Sequence, residues 1–498
     1  MTMFTRVLIA NRGEIAIRVM RACRELGIGT VAVYSEVDAR APHVAFADTA
    51  VCVGPAPSAE SYLNIPRLIE AARATRADAV HPGYGFLAEN ASFARAVEQA
   101  GLTFIGPTAD AIAAMGDKTG ARRMAVAAGV PVVPANEAPP RDPAALTSAA
   151  RELGYPLLIK AAAGGGGKGM RVVRSAAELV DAFGAAAREA LGAFGDDRLF
   201  LERYVERPRH VEVQVLADHH GSIVHLGERE CSIQRRHQKI IEETPSPAVD
   251  DRLRRQMTDA ALAVARSVGY RNAGTVEFLL DPDGRFYFLE VNTRLQVEHP
   301  ITEWVTGIDL VHAQLRIAAG ERLWLKQDDI VRRGHAIECR ICAEDPAQQF
   351  LPSPGTVLQL REPHGPGIRI DSGIAAGYAV PLYYDPLLAK ISVWGESRDA
   401  ARRRMLAALR EYVILGCTTA IPFLLDVLDH PAFASGQTHT HFVAEHFPSW
   451  SGRDAHRLIA LIAAAIDATR APRPTRGGAA PTEASPWTTL GHWRLAQG

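Results

Sequence analysis

The chain has 498 residues, 47% of them hydrophobic and 22% charged, with a formal net charge of -1 and a pI near 7.0. That length predicts about three domains with full-sized cores, and the even balance of charge excludes a basic footprint for nucleic acid and an acidic tail. The longest aliphatic helix candidate, Leu458 to Ile466, falls far short of the roughly 20 residues a membrane span needs, and Met1 to Ala10 is too short for a signal peptide, so the expected compartment is the cytoplasm.

The six cysteines are scattered, as reduced thiols are. Cys339 and Cys342 have the CxxC spacing, but no second pair exists and strand alternation would send the two sulfurs to opposite faces, so zinc is not expected. Of 55 basic residues only Lys118, Lys160, Lys168, Lys239, Lys326 and Lys390 are lysine. Four of them fall in the segments that carry the chemistry below, where a compact ammonium on a flexible stem serves better than a planar fork.

Arg6 to Ala10 reads as a buried strand, Asn11 to Gly13 as its turn, Glu14 to Leu26 as a helix ended by Gly27, and Thr30 to Tyr34 as the next strand. This opening predicts a doubly wound α/β domain over about residues 1–115. Its first turn lacks GxGxxG, which argues against a dinucleotide site there. His81 to Asn90 is a turn-rich loop after a strand, the place where open α/β sheets bind ligands.

A helix closing at Gly154 leads into a strand, Pro156 to Lys160, and then into the run Gly164 to Gly169. Gly164, Gly166 and Gly169 match GxGxxG, yet Met170 to Val173 continues as a strand rather than a helix, and Gly169 after Lys168 breaks the Walker A pattern. Strand, glycine turn and strand make a flexible flap whose amides fold over phosphates. The next helix begins after Ser175, with Glu178 placed for a capping box.

Glu202 to Val205 follows a short apolar strand. His210 to Leu216 then alternates strictly, valines on one face and His210, Glu212 and Gln214 on the other, a pattern suited to ribose or metal-shell hydrogen bonds. The charged run Glu228 to Glu243, with Gln234, His237 and Lys239, lies between strands and is a candidate anion site.

Gly274 to Leu280 and Arg285 to Asn292 form a predicted hairpin around Asp281-Pro282-Asp283-Gly284. A two-residue loop at Asp283-Gly284 puts Glu277 opposite Glu290; one at Pro282-Asp283 puts Glu277 opposite Phe288. Either leaves Glu277, Glu290 and Asn292 on one face, whereas an odd loop breaks the pairing. Facing carboxylates repel unless a hard cation such as magnesium joins them. Beyond, Glu290, Asn292, Arg294, Gln296 and Glu298 alternate with mostly aliphatic residues, so an extended chain would carry them as one polar track. Eight steps at about 3.3 Å cover roughly 26 Å, so the track either bends or serves two neighbouring chemical events.

Together, Asn11 to Ala16, His81 to Leu87, Gly116-Asp117-Lys118, Gly164 to Met170, Gln234 to Lys239 and Glu290 to Pro300 resemble the biotin carboxylases, in order, over roughly residues 3 to 446. The resemblance implies an ATP-grasp fold, α/β in class with α+β parts. It comprises an N-terminal doubly wound domain (1–115), an ATP-grasp domain (116–330) with a mobile glycine-loop lid (about 132–204) and a C-terminal biotin carboxylase domain (331–447), followed by a helix, linker and tail (448–498). It implies ATP contacts from Lys118, Lys160, Gly166, Gly167, Glu202, Arg203, Tyr204, Val205, His210, Gln234, His237, Glu277 and Glu290. Magnesium or manganese would be held by Glu277, Glu290 and Asn292. Bicarbonate would meet Lys239, Arg294 and Val297, with Glu298 as its base, and Arg340 would meet biotin. The implied reaction is ATP-dependent carboxylation of biotin on a separate carrier protein through carboxyphosphate. That is the first half-reaction of an acyl-CoA carboxylase such as acetyl-CoA carboxylase in fatty acid biosynthesis. Besides the biotin carrier, the implied partners are a carboxyltransferase subunit, together with a second copy of the chain in a homodimer; no nucleic acid and no membrane are expected. No methionine precedes a lysine, so no biotin is expected on this chain, and Trp487 to Gly498 resembles the start of the region that follows the carboxylase in longer α subunits. Two enzyme rivals are a carbamoyl phosphate synthetase half and a nicotinamide oxidoreductase. A silent scaffold is the third, and the Lys239, Glu298 and Arg340 set argues against it.

Overall fold

The structure is a computed structural model that describes residues 3–161, 170–236, 238–452 and 457–470. Strands β1 (Arg6–Ile9), β2 (Gly29–Ser35), β3 (Thr49–Gly54), β4 (Ala79–His81) and β5 (Thr103–Phe104) form a parallel sheet in the order β3-β2-β1-β4-β5. Helix α1 (Gly13–Glu25) crosses over after β1 and is stopped by Gly27, whose φ of 72° costs glycine nothing. Val7 and Ile9 pack into one apolar cluster, Leu8 and Ala10 into another. Both faces of the sheet are therefore covered, which is why β1 reads as unbroken aliphatic sequence.

The lid is a second, smaller sheet. Its strands β6 (Ala135–Asn136), β7 (Leu157–Ala161), β8 (Arg171–Val173) and β9 (Leu199–Arg203) lie in the order β6-β9-β7-β8, backed by α2 (Pro143–Leu153) and α3 (Ala176–Phe194). Leu146, Leu157, Ile159, Val173, Leu179 and Leu201 give it an apolar cluster of its own. Leu157 pairs with Val173 and Ile159 with Arg171, so the strands before and after the glycine run are antiparallel neighbours; the run itself lies outside the described residues. The capping box differs. The Ser175 hydroxyl donates to Glu178 at 2.9 Å instead of accepting from the helix, and the other Glu178 oxygen accepts from the Arg174 amide at 3.2 Å.

The largest element is an eight-stranded antiparallel sheet. In chain order it comprises β10 (Arg209–Ala217), β11 (Ile223–Arg235), β12 (Gln238–Thr244), β13 (Asn272–Leu280), β14 (Phe286–Asn292), β15 (His335–Cys342), β16 (Ile368–Ser372) and β17 (Leu387–Gly395). Their order in space is β14-β13-β10-β11-β12-β15-β17-β16. One face is apolar: Val211, Val213, Val276 and Phe278 pack on Leu253 and Met257 of α4 (Asp251–Ser267), and Ile337, Cys339 and Ile391 pack on Met405 and Leu409 of the helix Arg398–Glu411. The other face is charged and nonetheless buried, lying against α5 (His299–Thr306) and α1. Strand β12 pairs with β15, so the segments expected to be separate domains, 116–330 and 331–447, share one sheet. Met1–Ser451 forms one compact unit. The second unit, Gly452–Gly498, contains the predicted helix at Arg457–Arg470, on which Leu461, Ile462 and Ile466 are exposed, while 471–498 lie outside the described residues. Among the described residues no helix is long and apolar enough to cross a membrane.

Candidate active site

Across the buried charged face, β14, β13, β10 and β11 set Glu290, Glu277, Glu212 and Arg229 in one row, each directly opposite the next. The hairpin that makes this row is not the even loop anticipated. Asp281 pairs with Arg285, its carboxylate accepting from the Asp283 and Arg285 amides at 3.0 and 2.9 Å, and Gly284 takes a φ of 80°, so the loop is the three-residue Pro282-Asp283-Gly284. An odd loop would put Leu289 opposite Glu277. A bulge corrects it: Phe278 pairs with Phe288 and Glu277 with Glu290, and Leu289 is the extra residue.

Three glutamates in a row repel one another unless cations separate them. Lys239, from the β11–β12 hairpin, supplies one: its Nζ lies 2.6 Å from Glu212, 2.8 Å from Glu277 and 2.8 Å from Glu298. Arg229 supplies another and is fully buried, donating to Glu212 at 2.5 Å, Gln214 at 2.8 Å, Thr302 at 2.9 Å and Thr275 at 3.1 Å. Burial pushes Lys239 toward neutrality, but its three carboxylates outweigh burial and hold it charged. Burial likewise pushes Glu298 up, and Lys239, Arg340 and Arg229 overcome it, leaving Glu298 well below the usual carboxylate range. Glu290 goes the other way, raised by burial and then by the Glu277 charge, with Lys118 3.9 Å away in partial compensation. A raised carboxyl beside an ionised one, with the Asn292 amide oxygen in the next row, is an all-oxygen set that could hold a hard divalent cation.

The polar track bends where the strand stops. Only Glu290 to Asn292 are extended in β14; Thr293 to Val297 is a turn, and Glu298 is the residue before α5. The turn is pinned from the N-terminal domain, because Glu89 accepts from the Thr293 amide at 2.9 Å and from Arg294 Nε at 2.8 Å. Arg294 also bridges Asn292 and Gln296, both at 2.9 Å, and Gln296 reaches Glu277 at 3.1 Å. Arg340 closes the far side, 2.9 Å from Glu298 and 2.6 Å from Glu242. The side chains expected to share a track are thus gathered by a turn rather than by a strand.

Two cavities meet here. A cleft of about 630 Å³ is lined by His210, Gln234, Lys239, Glu277, Glu290 and Asn292 among others. A smaller pocket of about 300 Å³ lies between Tyr84 and Phe86 of the N-terminal loop and Arg340, and Arg294 and Val297 line both. His210 Nε2 is 3.0 Å from Glu277, and Gln234 donates to His210 Nδ1 at 2.9 Å. Lys160, Glu202, Arg203 and Tyr204 line neither cavity. Lys160 is ion-paired with Glu202, Arg203 donates to Tyr287 at 3.2 Å, and Tyr204 bonds His441 at 2.8 Å. Gly166, Gly167 and His237 lie outside the described residues. Residue-by-residue reading missed Glu89, Arg229 and Lys390. The last is fully buried, donates to the Val297 carbonyl at 2.6 Å and lies 3.4 Å from Glu14, so it holds the turn from below. Its rarity as a lysine was the one signal available.

Three family models match the chain in succession. Residues 3–112 match the biotin carboxylase N-terminal domain, 117–326 the ATP-binding domain of the carbamoyl-phosphate synthase L chain, and 338–445 the biotin carboxylase C-terminal domain. A biotin carboxylase of Nostoc sp. is 54% identical over 442 residues, which is 89% of this chain and 99% of that protein. Biotin carboxylase 1 of Bacillus subtilis is 53% identical over 442 residues, 89% of this chain and 98% of its own length. Among solved structures, the biotin carboxylase domain of Hydrogenobacter thermophilus 2-oxoglutarate carboxylase, a dimer in complex with MgADP, ADP and bicarbonate, superposes with a TM-score of 0.84 at 48% identity. It covers 90% of this chain and 98% of that one. The parallel N-terminal sheet, the hairpin lid and the shared antiparallel sheet are therefore an ATP-grasp fold, and the chain belongs to the biotin carboxylase family.

Proposed function

We propose that this chain is a ligase that uses ATP to activate bicarbonate and carboxylates biotin borne on a separate carrier protein. What supports the reading is one observation: the fully buried Glu298 is held between Lys239 at 2.8 Å, which lines the larger cleft, and Arg340 at 2.9 Å, which lines both the cleft and the smaller pocket. Bicarbonate enters beside Lys239, Arg294 and Val297. It is a weak nucleophile until deprotonated, and Glu298, ionised at working pH, is the base; its proton affinity rises once incoming anions share Lys239 and Arg340. The bicarbonate oxygen attacks the γ-phosphoryl group, ADP leaves, and carboxyphosphate forms. Its breakdown gives carbon dioxide and phosphate; the phosphate takes the ureido N–H proton of biotin, and the ureido nitrogen attacks carbon dioxide. Arg340 stabilises the negative charge that develops on the ureido oxygen.

Lys118 and Lys160 serve the nucleotide phosphates, with Gly166 and Gly167 on the lid. Glu202 to Val205, His210, Gln234 and His237 serve the base and sugar. Glu277, Glu290 and Asn292 hold magnesium or manganese, which when bound neutralises and aligns the phosphates. The segments 1–115, 116–330 and 331–447 act as scaffold, nucleotide site and biotin side, and 132–204 closes to keep water from carboxyphosphate. The enzyme works as a homodimer and passes carboxybiotin to a carboxyltransferase. ATP hydrolysis with bicarbonate, measured with and without free biotin, tests the assignment. Stimulation by biotin is the expected result; identical rates would favour a carbamoyl phosphate synthetase-like ligase, whose ATP-binding domain this chain also matches.

A further inference from the structure

Behind Arg340 lies a pair of carboxyl groups that the proposed reaction does not use. Strand β12 sets Glu242 directly opposite Glu338 of β15, and both are fully buried. Of their four oxygens only Glu242 Oε1 has a hydrogen-bond partner among the described residues, the Arg340 Nε at 2.6 Å; Glu242 Oε2 and both Glu338 oxygens have none.

The charged groups around the pair cannot neutralise it twice. From β15 itself comes Arg340, already shared between Glu242 and Glu298, and from β12 comes Lys239, whose ammonium is taken by Glu212, Glu277 and Glu298. From β17 comes Lys390, opposite Arg340, but its ammonium is committed to the Val297 carbonyl and Glu14. From the start of α5 come Glu298, which repels the pair, and His299, which burial and then Lys390 keep neutral. Burial raises Glu338 well above the ordinary carboxylate range, with Glu242 and Glu298 adding to it against Lys390 and Arg340. Burial lifts Glu242 to about 7 despite Arg340. Two ionised carboxylates in register, with three bare oxygens and no water-accessible surface, are untenable without a proton between them.

We propose that Glu338 carries a proton that it shares with Glu242 across the β12–β15 pair. This proton sets how firmly Glu242 holds Arg340, which makes Glu338 a positioning residue for biotin carboxylation. The inference rests on Arg340 being the biotin-facing group. With the proton in place the pair carries one negative charge, matched by one guanidinium. Once it is lost the pair carries two, Arg340 is drawn toward Glu242, and less of its field reaches the pocket.

The test is the pH dependence of kcat/KM for biotin in the wild type and in Glu338→Gln. Glutamine keeps the shape and offers Glu242 an N–H at every pH. The wild type is expected to lose kcat/KM on the alkaline side, and the variant to lose it at least about one pH unit higher, a difference of about tenfold at a fixed pH within the decline. Coincident alkaline limbs overturn the proposal. A purely structural lesion lowers the rate at every pH alike and leaves the limb where it was. The wild type alone gives a second reading: an infrared pH-difference spectrum should lose a protonated-carboxyl C=O band over the same range, and a spectrum without that loss also overturns it. No stimulation of the wild type by biotin at any pH would defeat the assignment of Arg340 instead, so the two failures are distinguishable.

Discussion

At the scale of single residues, the site depends on charges that cannot be removed one at a time. Lys239 meets three carboxylates, which hold it charged; it in turn draws Glu277 and Glu298 well below the usual carboxylate range, while burial keeps Glu212 above it. Glu298→Gln keeps the size and removes the proposed base, and should lower bicarbonate-dependent ATP hydrolysis by about 10²- to 10⁴-fold while ATP binding, measured by calorimetry, stays near normal. Lost ATP binding would mean that Glu298 is a nucleotide contact instead. Arg229 touches neither cavity. Arg229→Met leaves Glu212 buried without its closest cation and should cost about 3–5 kcal/mol, seen as a lower urea midpoint, with Arg229→Lys recovering part of it. The sequence made Glu277, Glu290 and Asn292 legible, because strand alternation is local. Glu89, 205 positions from Arg294, could not be paired with it by any local pattern. Arg229 reads only as one member of a charged run offered as a candidate anion site, because nothing local says that α5 covers it.

Among elements, the β13–β14 hairpin shows how a correct face can be inferred for an incomplete reason. Alternation alone required an even loop, whereas the chain uses an odd loop and adds Leu289 as a bulge that restores the register. Bulges leave no signature in a single sequence. The track after Asn292 takes the bend that its length allowed for: period two persists through Glu298, but Glu89 and the start of α5 fold the segment back. The lid was readable because its hairpin and helices are locally encoded, and it has its own apolar cluster. That independence has a consequence. Leu201→Ala, in a fully buried position of the lid, should cost about 2–5 kcal/mol locally. Hydrogen exchange should quicken across 133–203 while protection in β10 to β13 is unchanged; uniform loss of protection would mean that the lid does not unfold as a unit.

For the whole molecule, the governing feature is one buried charged seam where α1, α5 and the antiparallel sheet meet, running from Arg18 and Glu303 through Arg369, Asp371 and Lys390 to Arg340 and Lys239. Such a seam ties stability to pH. Burial raises Glu243, but His335 and Arg398 outweigh it and hold it at about 2 against an ordinary 4.5. A carboxyl depressed on folding adds stability above its unfolded pKa and loses it as pH falls through the folded one. Unfolding free energy should therefore drop between pH 4.5 and about 2, a window in which Glu242, already protonated in both states, contributes nothing. Glu243→Gln should flatten that drop in urea titrations, and an unchanged slope would remove Glu243 from the account. The proposition that most depends on this seam is that bicarbonate oxygen attacks the terminal phosphoryl group of ATP within it. Bicarbonate enriched in heavy oxygen tests this directly in the presence of biotin: the phosphate released should carry one oxygen from bicarbonate, and phosphate carrying none would contradict the account.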